Sequence, residues 1–238
     1  MPAGGSAGTS NNAVYPVGKS IHHAFNVIGY KIKGMAQSAI NAIAAVHGDG
    51  DLPTADIVHS ASKKYSGLYD GEKKQISLSP TSDNPELTFA HEAGHFLDHM
   101  TFGQGSAVGT RGEKIGNGSD RELDKLYSAI QSSHAVQSLK DLQQKENITV
   151  QHLGQPLSYP VDKQHISYLL QAPEQFARAY AQYIAIRSNN HTMKGQLETM
   201  IAHQNSGKEA YTSQWTHEDF KPIAKEFDAV FKARGWQK

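Results

Sequence analysis

The chain has 238 residues, 38% hydrophobic and 19% charged, the balance of an ordinary globular protein with enough apolar material for a sizeable core. Lys+Arg and Asp+Glu are equal at 23 each, so no overall charge points to nucleic acid, an anionic membrane or an acidic partner. Cysteine is absent, which excludes disulfides, thiolate metal ligands and cysteine nucleophiles and leaves His, Asp and Glu to hold any metal.

The chain opens with MPAGGSAGTSNN, and residues 1–20 read as a flexible Gly/Ser/Ala-type tail. No basic stretch followed by an apolar core suggests a secretory signal, and no apolar run approaches membrane-spanning length. A cytoplasmic location is the default expectation; a virion component or a delivered effector carries the same pattern. From Ile21 to Val46, apolar residues fall at steps of three or four and predict a helix, strongest over Lys31–Val46 because Gly29 and Gly34 weaken its first half. His47-Gly48-Asp49-Gly50 ends it, and Asp49 and Asp51 belong to a turn, since the offsets of a calcium loop are missing. Ala55–Ala61 reads as a short strand. Tyr65–Tyr69 and Gln75–Ser79 read as a hairpin across Asp70-Gly71.

The next segment carries the chemistry. Asn84 is placed to cap a helix, Pro85 suits its first position, Glu86 favours the positive end of its dipole, and Leu87, Ala90, Gly94 and Leu97 form a core-facing stripe. Within it lies His91-Glu92-Ala93-Gly94-His95. Residues i and i+4 share one helix face, so both imidazoles reach one metal ion, and Glu92 falls beside it, where its carboxylate takes a proton from metal-bound water. Gly103 can end the helix. Position 98 is Asp and position 101 is Thr, which excludes the longer pattern with a third histidine on the same segment. His99 is a further turn away and is read as non-ligating. Asp98 is placed either to hydrogen-bond a ligand imidazole or backbone amide, or to sit in solvent at the helix end.

Gly103–Ser119 holds six glycines and reads as a surface loop over 104–119. Asp120–Glu146 is mostly helical by pattern, with Leu123, Leu126, Ile130, Leu139 and Leu142 inward, and Ile148–Leu157 is extended. Helices follow over Pro173–Arg187, Met193–His203 and Thr216–Arg234, with Trp215 and Trp236 as packing residues and Pro222 leaving the start of the last one open. A catalytic zinc site needs three protein ligands, and Glu174 is the leading candidate for the third. It follows a proline at a helix start, on a segment whose Phe176, Ala177, Tyr180, Tyr183 and Ile184 would press against the metal helix. Glu122, Asp162 and His165 are next in line. The pairs Lys63-Lys64 and Lys73-Lys74 have no interleaved aromatics and read as solvated residues.

HEAGHFLD followed by PEQFARAYAQY resembles the zincin metallopeptidases of the anthrax lethal factor-like kind and the zincin domains of phage head and mobile-element proteins. The matching positions are His91, Glu92, Gly94, His95 and Asp98, then Glu174, Phe176 and Ala177. The resemblance implies an α+β, zincin-like fold: a small N-terminal mixed sheet over 21–103, with the active-site helix and an edge strand placed to run beside the cleft and hydrogen-bond an extended peptide, and a mainly helical lobe over 120–238 carrying the third ligand. It also implies one zinc ion on His91, His95 and Glu174, with Glu92 as catalytic base and Asp98 supporting the ligands. Shortly before the third ligand the family places a catalytic tyrosine, which Tyr168 matches best, with Tyr159 and His165 as competitors. Where this chain has Arg178 the family often has an acidic residue. The implied activity is that of a zinc metalloendopeptidase acting on a peptide or protein substrate, without nucleic acid or membrane. The alternative is a zincin-fold structural or interaction protein of a phage or mobile-element assembly, joined to it through the N-terminal segment.

Overall fold

The structure is a computed structural model and describes residues 24–28, 30–47, 55–59, 65–102, 121–152 and 155–237. The expected tail, the Asp49–Asp51 turn, Lys63-Lys64, the Gly103 stop and the 104–119 loop lie outside these residues. The N-terminal part alternates strands and helices. Strand β1 (Phe25–Ile28) leads into helix α1 (Tyr30–Val46), which returns the chain to β2 (Ala55–His59), followed by β3 (Gly67–Asp70) and β4 (Gln75–Leu78). These strands form one mixed sheet in the order β1-β2-β4-β3. β1 runs parallel to β2 and β2 to β4, whereas β3 pairs antiparallel with β4, placing Gly67 opposite Leu78 and Asp70 opposite Gln75. The expected hairpin is therefore present, with its first strand at the sheet edge, but its turn is residues 71–74 and not Asp70-Gly71, since Asp70 pairs with Gln75 within the ladder.

One expectation is corrected. The helical spacing read from Ile21 onward does not hold at residues 25–28, which pair with β2 as a strand. Phe25 is buried, with its ring 5.2 Å from that of Phe89 and 5.3 Å from that of Phe96. Aromatic and β-branched residues just before Gly29 suit a pleated, half-buried surface, and the available sheet edge outweighs a helical period interrupted by glycine. The helix itself begins at Tyr30 and buries Ile32, Ala36, Ala39, Ile40 and Ile43.

Helix α2 (Pro85–Leu97) carries the HEAGH segment and runs directly into a π-helical turn over Asp98–Phe102. Its predicted stripe, Leu87, Ala90, Gly94 and Leu97, is buried. Asn84 makes no side-chain cap; the α2 start is instead held by Gln196, whose Oε1 accepts from Leu87 N at 3.1 Å and whose Nε2 donates to Glu86.

The remainder is mainly helical. Helices α3 (Arg121–Ser132) and α4 (His134–Gln143) split the single helical region expected there at Ser133. Asp219 accepts from the amides of His134 and Ala135 at 2.8 and 2.9 Å, so donors exposed by the break are satisfied from another element. A two-stranded ribbon, β5 (Asn147–His152) and β6 (Gln155–Pro160), precedes α5 (Lys163–Leu169), α6 (Ala172–Arg187), α7 (His191–Asn205) and α8 (His217–Ala233). The short α5, capped by Asp162, has no counterpart in the sequence reading.

A single main core draws on the sheet, α1, α2, α3, α6, α7 and α8, with Trp215, Phe220, Phe227, Phe231 and Trp236 fully enclosed. The molecule is thus α+β, a small mixed sheet joined to a mainly helical C-terminal part. Among the described residues no helix is long and apolar enough to cross a membrane.

Candidate metal centre and active site

Two helices build the centre. On α2, residues 91, 94 and 95 share one face; on α6, residues 174, 177, 178 and 181 do the same. The faces meet at Gly94, where an added β-carbon would lie 2.9 Å from Ala177 Cα and 3.3 Å from Ala177 O. Such an approach is open only to a glycine against a small residue. His91 and His95 flank the contact on α2, and Glu174 lies one turn before Ala177 on α6.

The consequence is that one oxygen of Glu174 faces both imidazoles. Glu174 Oε2 is 3.4 Å from His91 Nε2 and 3.6 Å from His95 Nε2, and the two imidazole rings are 4.8 Å apart. Tetrahedral coordination with bonds of ~2.0–2.2 Å requires ligand atoms about 3.3–3.6 Å from one another. The two separations from Glu174 Oε2 fit that requirement. His91, Glu92 and His95 also form a group able to hold a metal ion, with donor atoms within 4.8 Å of one another. Of the two carboxylates, Glu174 fits a ligand better because its Oε2 faces both Nε2 atoms at coordination spacing. Glu92 lies on the sheet side, where a β-carbon at Gly67 would stand 2.8 Å from its Oε1.

The electrostatics separate the same two groups. Burial raises the Glu92 carboxyl above its ordinary value, against the pull of His91 and His95 and a backbone hydrogen bond from Tyr69. Burial acts on Glu174 in the same sense, but His91, His95 and Arg178 outweigh it and hold the carboxyl well below the usual range. Burial disfavours charge on His91, and Glu174 reverses that, leaving it above its ordinary value. One carboxylate suits proton transfer and the other permanent charge, the division expected of groups with different roles.

Compared with known proteins, the chain matches no family model, no curated protein and no solved structure.

The centre sits where two cavities join. One of about 480 Å³ runs along the outer edge of β3, unpaired among the described residues, and past His95, His99 and Gln171. The other, about 420 Å³, extends between Leu87, Leu169, Arg178, Met200 and Gln214. Gly67, His91, Glu92, Tyr168 and Glu174 line both. Tyr168 is half-exposed and its Oη donates to Glu174 Oε2 at 2.7 Å; burial, then Glu174, pushes its hydroxyl well above the ordinary tyrosine value.

Other predicted residues fall as follows. Asp98 is fully buried, so the reading as a solvated helix-end carboxylate does not hold. His99 is turned to Tyr69, with Nδ1 3.0 Å from its Oη. Tyr159 is exposed on β6 and lines neither cavity; His165 packs its ring against Tyr211 at 5.1 Å. Asp162 accepts from His165 N as the α5 cap, and Glu122 lies in the first turn of α3. The residues that sequence reasoning missed are Gly67, Tyr69 and the buried Arg178. Only Arg178 left a trace, as the basic residue where the resembling family is often acidic.

Proposed function

We propose that this protein is a zinc-dependent metallopeptidase of the zincin type, hydrolysing bonds in a peptide or protein substrate. The observation that carries the reading is the meeting of His91 Nε2, His95 Nε2 and Glu174 Oε2 beside Glu92, in a cleft bordered by a strand edge unpaired among the described residues. Two imidazoles and one carboxylate are the donor set of many catalytic zinc sites, and a chain without cysteine offers no softer alternative. When bound, zinc supplies a Lewis acid that polarises a substrate carbonyl and makes water acidic enough to attack at neutral pH.

The chain's own groups supply the rest. The outer edge of β3 offers backbone donors and acceptors to an extended peptide laid along the cleft. Glu92, buried and with its proton affinity raised, takes a proton from the attacking water and returns it to the leaving amine nitrogen. Tyr168, protonated throughout the working range, donates its hydroxyl hydrogen to the developing oxyanion. Glu174, whose carboxyl is held well below the usual range, would with His91 and His95 hold the zinc ion.

The test is metal analysis of the wild type beside Glu92→Gln and Glu174→Ala, with activity measured on a mixed peptide pool. Glu92→Gln should keep stoichiometric zinc and lose about a hundredfold or more of its cleavage rate. Glu174→Ala should lose zinc affinity. Unchanged turnover in Glu92→Gln would remove the mechanism. Zinc without cleavage in the wild type would favour the second reading, a zincin-fold interaction protein of a phage or mobile-element assembly.

A further inference from the structure

Arg178 stands one helical turn after Glu174 and is 5% exposed. Its guanidinium is fixed in three directions. Nη1 donates to Ser213 O at 3.1 Å, Nη2 donates to Leu169 O, and the plane lies over the Trp215 ring at 5.5 Å. Nε, which makes no hydrogen bond of its own, faces Glu174 Oε1 at 3.5 Å. The two oxygens of Glu174 therefore have different surroundings. Oε1 faces a cation; Oε2 faces both imidazoles and accepts from Tyr168.

A carboxylate beside a metal ion can present one oxygen or both, because its terminal torsion is soft and its lone pairs point several ways. A planar cation anchored to two carbonyls removes that freedom, which a lysine with a single flexible ammonium does not. The same anchor reaches Leu169, the neighbour of Tyr168, so the helix carrying the tyrosine and the helix carrying the ligand are tied through one side chain.

We infer that Arg178 is a positioning residue of the metal centre: it retains Oε1 of Glu174 so that Oε2 alone is presented to an ion between His91 and His95, and it sets Tyr168 over that same oxygen. The inference rests on Glu174 as a metal ligand within the proposed function, and not on peptide cleavage itself.

The test uses the full chain loaded with cobalt(II) as a visible probe, and with zinc in competition against a chelator. The wild type should give the intense visible bands of a four-coordinate cobalt ion; weak bands of higher coordination would overturn the inference without any variant. Arg178→Met and Arg178→Lys should each bind zinc about 10–100-fold more weakly, with weaker cobalt bands as the second carboxylate oxygen enters. Arg178→Lys keeps the charge and a contact to one carbonyl, so it covers the case in which Arg178→Met does not fold. A residue needed for folding alone would lower the melting temperature and leave zinc affinity and cobalt bands as in the wild type, and that result also overturns the inference. Metal bound in the expected way without cleavage of any peptide would sink the peptidase reading and leave the role of Arg178 standing.

Discussion

Gly94 and Ala177 meet so closely that a β-carbon on the glycine would stand 2.9 Å from the Cα of the alanine. Helix backbones at that distance leave no adjustable side chain between them. Gly94→Ala must push α2 away from α6 and carry His91 and His95 away from Glu174. The variant should lose about 1–3 kcal/mol of stability from overpacking, together with at least tenfold in zinc affinity. Thermal unfolding of the metal-free protein and a chelator competition check the two effects separately. Wild-type zinc affinity in Gly94→Ala would show that the helix contact does not set the ligand spacing.

Gly67 plays the corresponding part on the sheet side. A β-carbon there would meet Thr88 Cγ2 at 2.6 Å and Glu92 Oε1 at 2.8 Å, so Gly67→Ala should displace the Glu92 carboxylate while leaving the ligands alone. Zinc stoichiometry should be kept and kcat should fall by about tenfold to a hundredfold, the scale of a misplaced catalytic group. Equal loss of zinc and of activity would mean that Gly67 supports the fold and not the base.

For Tyr168, removal of the hydroxyl is the sharper experiment. Tyr168→Phe keeps the ring and deletes the donor to Glu174 Oε2. Its kcat should drop by about a hundredfold, as for loss of one oxyanion donor, with KM and zinc content nearly unchanged. A variant with full kcat would return Tyr168 to a structural role.

Away from the site, His47 makes acid stability predictable. Its Nδ1 donates to Trp236 O at 3.2 Å because a carbonyl can only accept, so in the neutral ring Nε2 accepts from Tyr180 Oη at 2.8 Å. Burial lowers its pKa from 6.5 to about 4, with the Trp236 carbonyl opposing. The folded value lies below the unfolded one, so stability is full above about pH 6.5, falls as the pH drops through that window, and stops falling below about 4. The total is about 3 kcal/mol. Denaturant titrations at pH 7 and pH 4.5 should show a drop in the wild type that is smaller by roughly this amount in His47→Gln. Identical drops in both proteins would contradict the assignment.

Much of the metal helix was legible in the residues themselves. Pro85, Glu86 and the stripe from Leu87 to Leu97 define where α2 starts and which face is buried, since both follow from neighbours within a few positions. Glu174 was legible for a similar reason, as an acidic residue in the first turn of an otherwise core-like helix. Phe25–Ile28 was misread because a strand is decided by its partner, here β2, and the helical spacing of its apolar residues carried no word of that partner. The order of the elements led to an edge strand beside the cleft, but that β3 is that strand, and with it the place of Tyr69 and Gly67, depends on strand order, which no local pattern encodes.

Arg178 shows the limit most clearly. Its two carbonyl partners lie 9 and 35 positions away, and its relation to Glu174 differs from an ordinary surface i, i+4 pair because both groups are buried. Spacing alone places two imidazoles on one side of a helix, because helical geometry belongs to consecutive residues. Which distant carboxylate joins them, and by which oxygen, belongs to the approach of α2 and α6 at Gly94 and Ala177 and to the guanidinium behind Glu174, contacts between segments that meet only when the chain is folded.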